Sequence, residues 1–172
     1  MNISNIKIII LFLLIIFFGL YVGFTGEKKD FGRLKTFSFS YSTGYHMNAS
    51  VSYSLKKDKE QEKYIAKIKE DEVAEKDAIT FYVDDDFIED LENLIKEYKL
   101  NNWDGFHKSD KNVLDGNGFS FIVNYENGKS ISASGYEKYP KDYSQVENAI
   151  SNLFYKKQKT TSSINLKPQN KE

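Results

Sequence analysis

From Ile8 to Gly26 the chain runs 19 consecutive residues without a charge, most of them Ile, Leu and Phe. No other stretch restricts the outcome so strongly. An apolar run of roughly 17–25 residues is long enough to span a bilayer as a helix. A cleaved signal peptide has a shorter apolar core and small residues at its cleavage point. Here the run leaves through GLYVGFTGEKK, and Tyr21, Val22 and Phe24 crowd every candidate point. An uncleaved single-pass anchor over 1–26 is therefore expected, with residues 6–25 in the membrane. A cleaved signal is the alternative, and a buried globular helix comes last.

Orientation follows less directly. Lys7 precedes the run, whereas Lys28, Lys29, Arg33 and Lys35 follow it. Counting basic residues alone would leave the C-terminal side in the cytoplasm. A short N-terminus with an immediate apolar run is the usual layout of an export signal, and on that ground the expected arrangement is N-in with an extracytoplasmic domain at the cell membrane. The chain has no Cys, which excludes disulfides, thiol chemistry and the lipid attachment of bacterial lipoproteins.

Beyond a polar connector (27–35) the period becomes two. Phe37, Phe39 and Tyr41 alternate with Ser38, Ser40 and Ser42; Tyr45 to Leu55 alternates with His46, Asn48, Ser50, Ser52 and Ser54. Successive strand side chains point to opposite faces, so one face is apolar and the other rich in serine. The serine face is either a binding ladder or, more plainly, the solvent side of a sheet. Tyr64–Ile68 and Ala78–Val83 predict two further strands. Asp84, Asp85 and Asp86 then offer carboxylates at a helix start. Phe87, Ile88, Leu91, Leu94, Ile95 and Tyr98 follow at helical spacing.

Trp103 to Gly118 reads as a loop. Phe119–Tyr125 alternates, Asn127-Gly128 predicts a type I′ hairpin turn in which both residues take positive φ, and Ile131 and Ala133 continue the return strand. Val146, Ala149, Ile150, Leu153 and Phe154 mark a second helix. Residues 157–172 are polar and aperiodic and are expected to be a disordered tail. The fold class is therefore α+β: an antiparallel sheet of about six strands, ordered ββββ-α-ββ-α and covered by two helices, in a domain spanning 36–156.

Charge and motifs exclude more than they assign. From Glu27 to Tyr155 there are 24 acidic against 18 basic residues, a poor surface for nucleic acid. With two His and no Cys a zinc site is not expected. Asp110, Asn112, Asp115 and Asn117 form a weak calcium candidate that fails the alternating ligand pattern; turn chemistry at Asp115-Gly116-Asn117-Gly118 is the plainer explanation. The acids at 84–90 read as caps and a solvated face. No nucleophile elbow or phosphate-binding loop occurs, and no cofactor is expected. The remaining binding candidates are aromatic: Trp103, Phe106, Tyr136, Tyr139 and Tyr143. Such rings stack on sugars or anchor partner proteins, or else they plug the end of the first helix.

Several short motifs fall in one order: WDGF at 103–106, VLDG at 113–116, GFSF at 118–121, NGKSISASG at 127–135, and Tyr139-Pro140 with Tyr143. Together they resemble a family of uncharacterised envelope proteins of Firmicutes, many of them assigned as lipoproteins. The resemblance covers 81–154. It implies export and fold but no reaction. Lacking Cys, this chain departs from the lipoprotein members, which leaves anchoring to the N-terminal run. A membrane-anchored binding or structural module of the envelope, contacting an envelope protein or cell-wall glycan, is the favoured function. The alternatives are a cell-wall hydrolase using Asp104, Asp110 or Asp115, and an inhibitor or immunity protein with an acidic surface.

Overall fold

A computed structural model describes residues 31–44, 49–58, 60–70, 74 and 77–165. The apolar N-terminal run, residues 45–48 and 166–172 lie outside the described residues, and with them the expected anchor and the expected start of the second strand. Among the described residues no helix is long and apolar enough to cross a membrane.

The domain is α+β. Its strands are β1 (Leu34–Thr43), β2 (Ala49–Lys57), β3 (Tyr64–Glu70), β4 (Ile79–Val83), β5 (His107–Ser109), β6 (Gly118–Tyr125) and β7 (Ser130–Tyr136). Its helices are α1 (Asp85–Glu97) and α2 (Tyr143–Asn165), with a 3-10 turn at Leu100–Trp103. The strands form one seven-stranded sheet in the order β4-β3-β2-β1-β6-β7-β5. Two expectations are corrected here. The sheet has seven strands, and it is mixed, because β5 pairs parallel to β7. The 103–118 stretch is thus no plain loop. His107–Ser109 is too short and too polar to show a period, and it becomes a strand only because the β7 edge offers it partners.

Period two places Phe37, Phe39, Tyr53, Leu55, Ala66, Ile68, Phe121, Val123, Ile131 and Ala133 on one face, all essentially buried. Both helices cover that face. From α1, Phe87, Ile88, Leu91, Leu94 and Ile95 are buried; from α2, Val146, Ile150 and Phe154. Phe154 sits where the layers meet, 5.2 Å from Phe87, 5.3 Å from Tyr53 and 5.9 Å from Phe37 between ring centroids. Each such side chain contributes about 1.5–3 kcal/mol of transfer free energy.

Asp84 caps α1, its carboxylate accepting from the Phe87 amide at 3.2 Å. The same carboxylate accepts from Lys157 Nζ at 2.7 and 2.5 Å, tying the start of α1 to α2. Lys157 belongs to the segment 157–172 expected to be a disordered tail, and for 157–165 that expectation is corrected: α2 continues to Asn165. No Gly or Pro falls between Lys141 and Lys167. Once the apolar stripe has nucleated a helix, each further residue adds a hydrogen bond cheaply, and the bond to Asp84 holds the extension in place.

The hairpin between β6 and β7 also differs from expectation. Only Gly128 has positive φ, at 82°, and Asn127 does not. The Gly128 amide donates to the Tyr125 carbonyl, and Tyr125 N–H to the Lys129 carbonyl. This is a three-residue loop ending in a left-handed glycine, the alternative that the same Asn-Gly pair supports.

Candidate functional site

The five aromatic candidates do not share one surface. Trp103, delivered by the 3-10 turn after α1, is buried. Its ring meets Phe121 edge-on at 5.4 Å and Phe119 at 6.0 Å, and lies nearly parallel to Tyr143 at 6.1 Å and 24°. Tyr143, at the start of α2, is buried too, and burial pushes its hydroxyl pKa upward. Phe106 is half-buried beside Phe119, with the Lys108 ammonium 5.1 Å over its ring. Tyr139 packs on Tyr143 at 4.6 Å and on Phe119 at 5.9 Å, yet stays 37% exposed. Phe119 therefore touches four of the five rings. It was legible only as one apolar position in an alternating strand.

Tyr136 belongs elsewhere. It is an outward position of β7, opposite Gly118 on β6. Its hydroxyl accepts from the Gly116 amide at 2.6 Å and donates to the Leu114 carbonyl at 2.8 Å. Far from offering a free ring, it fastens the 110–117 loop to the sheet.

The acids and amides of that loop act in the same way. Asp110 accepts from the Asn112 amide at 3.1 Å and pairs with Lys138 at 2.8 Å. The Lys138 bond holds the Asp110 carboxyl below the usual carboxylate range. Asn117 accepts from Gly44 N–H through its side chain, and from Tyr139 O–H and Glu137 N–H through its carbonyl. Its own amide donates to the Glu137 carboxylate. Asp115 presents its backbone to Gly44, where an added Cβ would lie 2.5 Å from the Asp115 carbonyl. The calcium candidates Asp110, Asp115 and Asn117 thus serve loop closure, and among the described residues no group of three or more acids or histidines is arranged to hold a metal. Asp104, a candidate acid for hydrolysis, accepts from the Ser132 amide at 2.9 Å at the β7 edge.

Beside exposed Lys111, Asn112 and Asp115, this loop also presents apolar side chains to solvent. Leu114 is 93% exposed, and Val113 beside it 37%. An isolated exposed leucine is ordinary. This one stands on a backbone pinned on both sides, because its carbonyl and the nearby Gly116 amide share the Tyr136 hydroxyl. The sequence carried a signal for it: a Val-Leu pair inside turn residues, with no periodic element to bury it.

A cleft of about 740 Å³ lies at the opposite end of β1, between Arg33, Tyr64, Tyr82, Asp84 and Lys157. Its charges answer one another: Arg33 pairs with Asp85, and Lys157 with Asp84. No protein-family model matches the chain, and no curated protein matches it significantly.

Proposed function

We propose that the protein is a membrane-anchored, extracytoplasmic binding module of the cell envelope rather than an enzyme. Residues 1–26 serve as the anchor, with 6–25 in the membrane, and the pinned 110–117 loop makes contact with an envelope protein. Membership of the envelope family that 81–154 resembles is part of the same reading. The observation that carries the contact is Leu114, almost wholly exposed on a backbone held by Tyr136, Asp110–Lys138 and Asn117. A side chain fixed before binding loses little entropy on docking, so its apolar area converts efficiently into affinity. Partly exposed Val113 and Tyr139 supply further apolar area on the same part of the chain, and apolar anchors of this kind dominate interface energies. The hydrolase alternative is weaker because Asp104 and Asp110, two of its three acids, are already held by internal partners.

The test is a photo-reactive residue placed at 114 in the full chain in cells, with one at Lys99 as control. A discrete cross-linked protein band is expected from 114 and not from 99. Equal or absent cross-linking would remove the loop contact. Anchoring is tested separately: the chain should resist alkaline extraction from membranes and yield to detergent, and protease added outside intact cells should digest the domain.

A further inference from the structure

The sheet has two edges, and the chain treats them differently. The strand order leaves β5 at one and β4 at the other. An edge strand presents N–H and C=O groups that no neighbouring strand occupies, and natural sheets blunt such edges by shortness, charge, Pro or a bulge. The β5 edge is blunted. It has three residues, His107–Ser109, all exposed, with a lysine at its centre. The β4 edge carries none of these devices. Its sequence, Ile79-Thr80-Phe81-Tyr82-Val83, holds no charge and no Pro, and its pairing with β3 runs through five consecutive positions without a shift.

Alternate residues of β4 turn their N–H and C=O away from β3. Among the described residues, no backbone group outside β3 bonds to those of Ile79–Val83. The strand also exposes apolar area on both of its faces. Ile79, in line with Phe81 and Val83 on the helical face, is 40% exposed; Tyr82, on the open face away from the helices, is 43% exposed. Tyr82 is held in place there. Its hydroxyl donates to Asp58 at 3.2 Å, and the Lys63 ammonium stands 5.9 Å over its ring.

We propose that β4 pairs antiparallel with β4 of a second copy of this chain, joining the two sheets into one. The outward backbone groups call for an extended strand, and β4 itself is such a strand. It carries no charge that would select a charged peptide instead, and no charge to repel its own copy. With a twofold axis at Phe81 all five residues pair. Ile79 then stands opposite the partner's Val83, and Thr80 opposite the partner's Tyr82. Residues directly opposite share a face, so apolar meets apolar on the helical side and Thr meets Tyr on the open side. Positions paired this way differ by an even number of residues, so outward backbone groups of one copy meet outward groups of the other. Asp84, the cap of α1, ends the strand and limits the pairing to these residues. An isologous interface makes each contact twice, which doubles what a short strand contributes.

The β4 edge is a different surface from the Leu114 loop, and either contact can fail alone. The chain has no Cys, so introduced thiols report only on themselves. Full-length chain in detergent micelles is prepared in two differently tagged forms, Thr80→Cys and Tyr82→Cys, both at exposed positions. Opposite residues of an antiparallel pair lie about 4.5–5.5 Å apart between Cα atoms, within reach of a disulfide. Like positions of the two copies are diagonal, about 7–8 Å apart, which is beyond that reach. Mild oxidation of the mixture should therefore give mainly the mixed-tag dimer, and each form alone far less. Sedimentation of the cysteine-free chain should give a dimer. Thr80→Lys with Tyr82→Lys sets like charges opposite one another and should weaken the dimer about tenfold or more, whereas Ile122→Lys, in the middle of the sheet, should leave it intact. The cross-link decides the matter if the double lysine variant does not fold. The second copy is overturned by a monomer at every concentration, which would leave the edge to another protein's strand, by a folded lysine variant as dimeric as the parent, or by as much cross-link in each form alone as in the mixture.

Discussion

The two faces of the sheet are made from the same strands and have opposite fates. On the helical face, Phe37, Phe39, Tyr53 and Phe121 are buried under α1 and α2; Phe121 meets Phe37 and Phe39 ring to ring, and Tyr53 meets Phe154. On the other, Ser38, Ser40, Ser52 and Ser120 occupy the intervening positions and remain partly exposed. The first face supplies the free energy of folding. The second contributes little to it and so is free to be shaped by something outside the molecule. The same division separates Trp103 from Leu114. The rarest residue in the chain is core, and an ordinary leucine is the exposed one.

That contrast can be broken or sharpened by substitution. Trp103→Ala should have the largest effect, about 3–5 kcal/mol lost in urea unfolding, because it empties a site walled by Phe119, Phe121 and Tyr143. A loss under about 1 kcal/mol, the size of an ordinary surface effect, would mean that the ring is not core. Gly135→Ala comes next. An added Cβ would lie 1.9 Å from the Lys138 carbonyl and 2.5 Å from the Phe119 ring. Backbone cannot yield as a flexible side chain can, so about 1–3 kcal/mol of overpacking strain is expected, again read by urea unfolding.

Asp84→Ala should cost about 1 kcal/mol through the lost helix cap. It also has a pH signature. Hydrogen bonding to Lys157 lowers the folded-state pKa of Asp84 below its ordinary value. Its contribution is therefore complete above the unfolded carboxylate pKa, about 3.9, and is lost as pH falls through the lower folded value. Thermal melts from pH 6 to pH 2 should show a shallower acid-side decline in the variant. An unchanged slope would remove the Lys157 bond from the stability of the domain. The smallest effect belongs to the open face: Ser38→Ala should stay within about 0.5 kcal/mol of the parent. A larger loss in thermal unfolding would mean that the serine face is structural after all.

Much of the fold was legible. The cap at Asp84, the stripe of α1 and the in-out alternation of β1, β2, β3, β6 and β7 are local patterns, and local patterns survive folding where nothing competes with them. The candidate site was legible only in part. Trp103, Phe106, Tyr139 and Tyr143 do gather, but around Phe119 and mostly facing inward. Tyr136 was grouped with them by closeness in sequence, and the pleat turns it to the other face. The exposure of Leu114 was only hinted at by the turn residues around Val113 and Leu114, because exposure is decided by what fails to cover a residue.

The sequence by itself determined the class of fold, the two chemistries of the sheet, and where helices begin, since each depends on residues a few positions apart. Tertiary structure decided the rest. It set the neighbours of each strand, made β5 parallel, extended α2 to Asn165 through Lys157 and Asp84, and brought Ser134 beside Ser120 and Ser120 beside Ser40. Pairing between strands far apart in the chain depends on register, and register comes from burying one whole face at once. The serine row exists as a surface only because the aromatic row beneath it had to close.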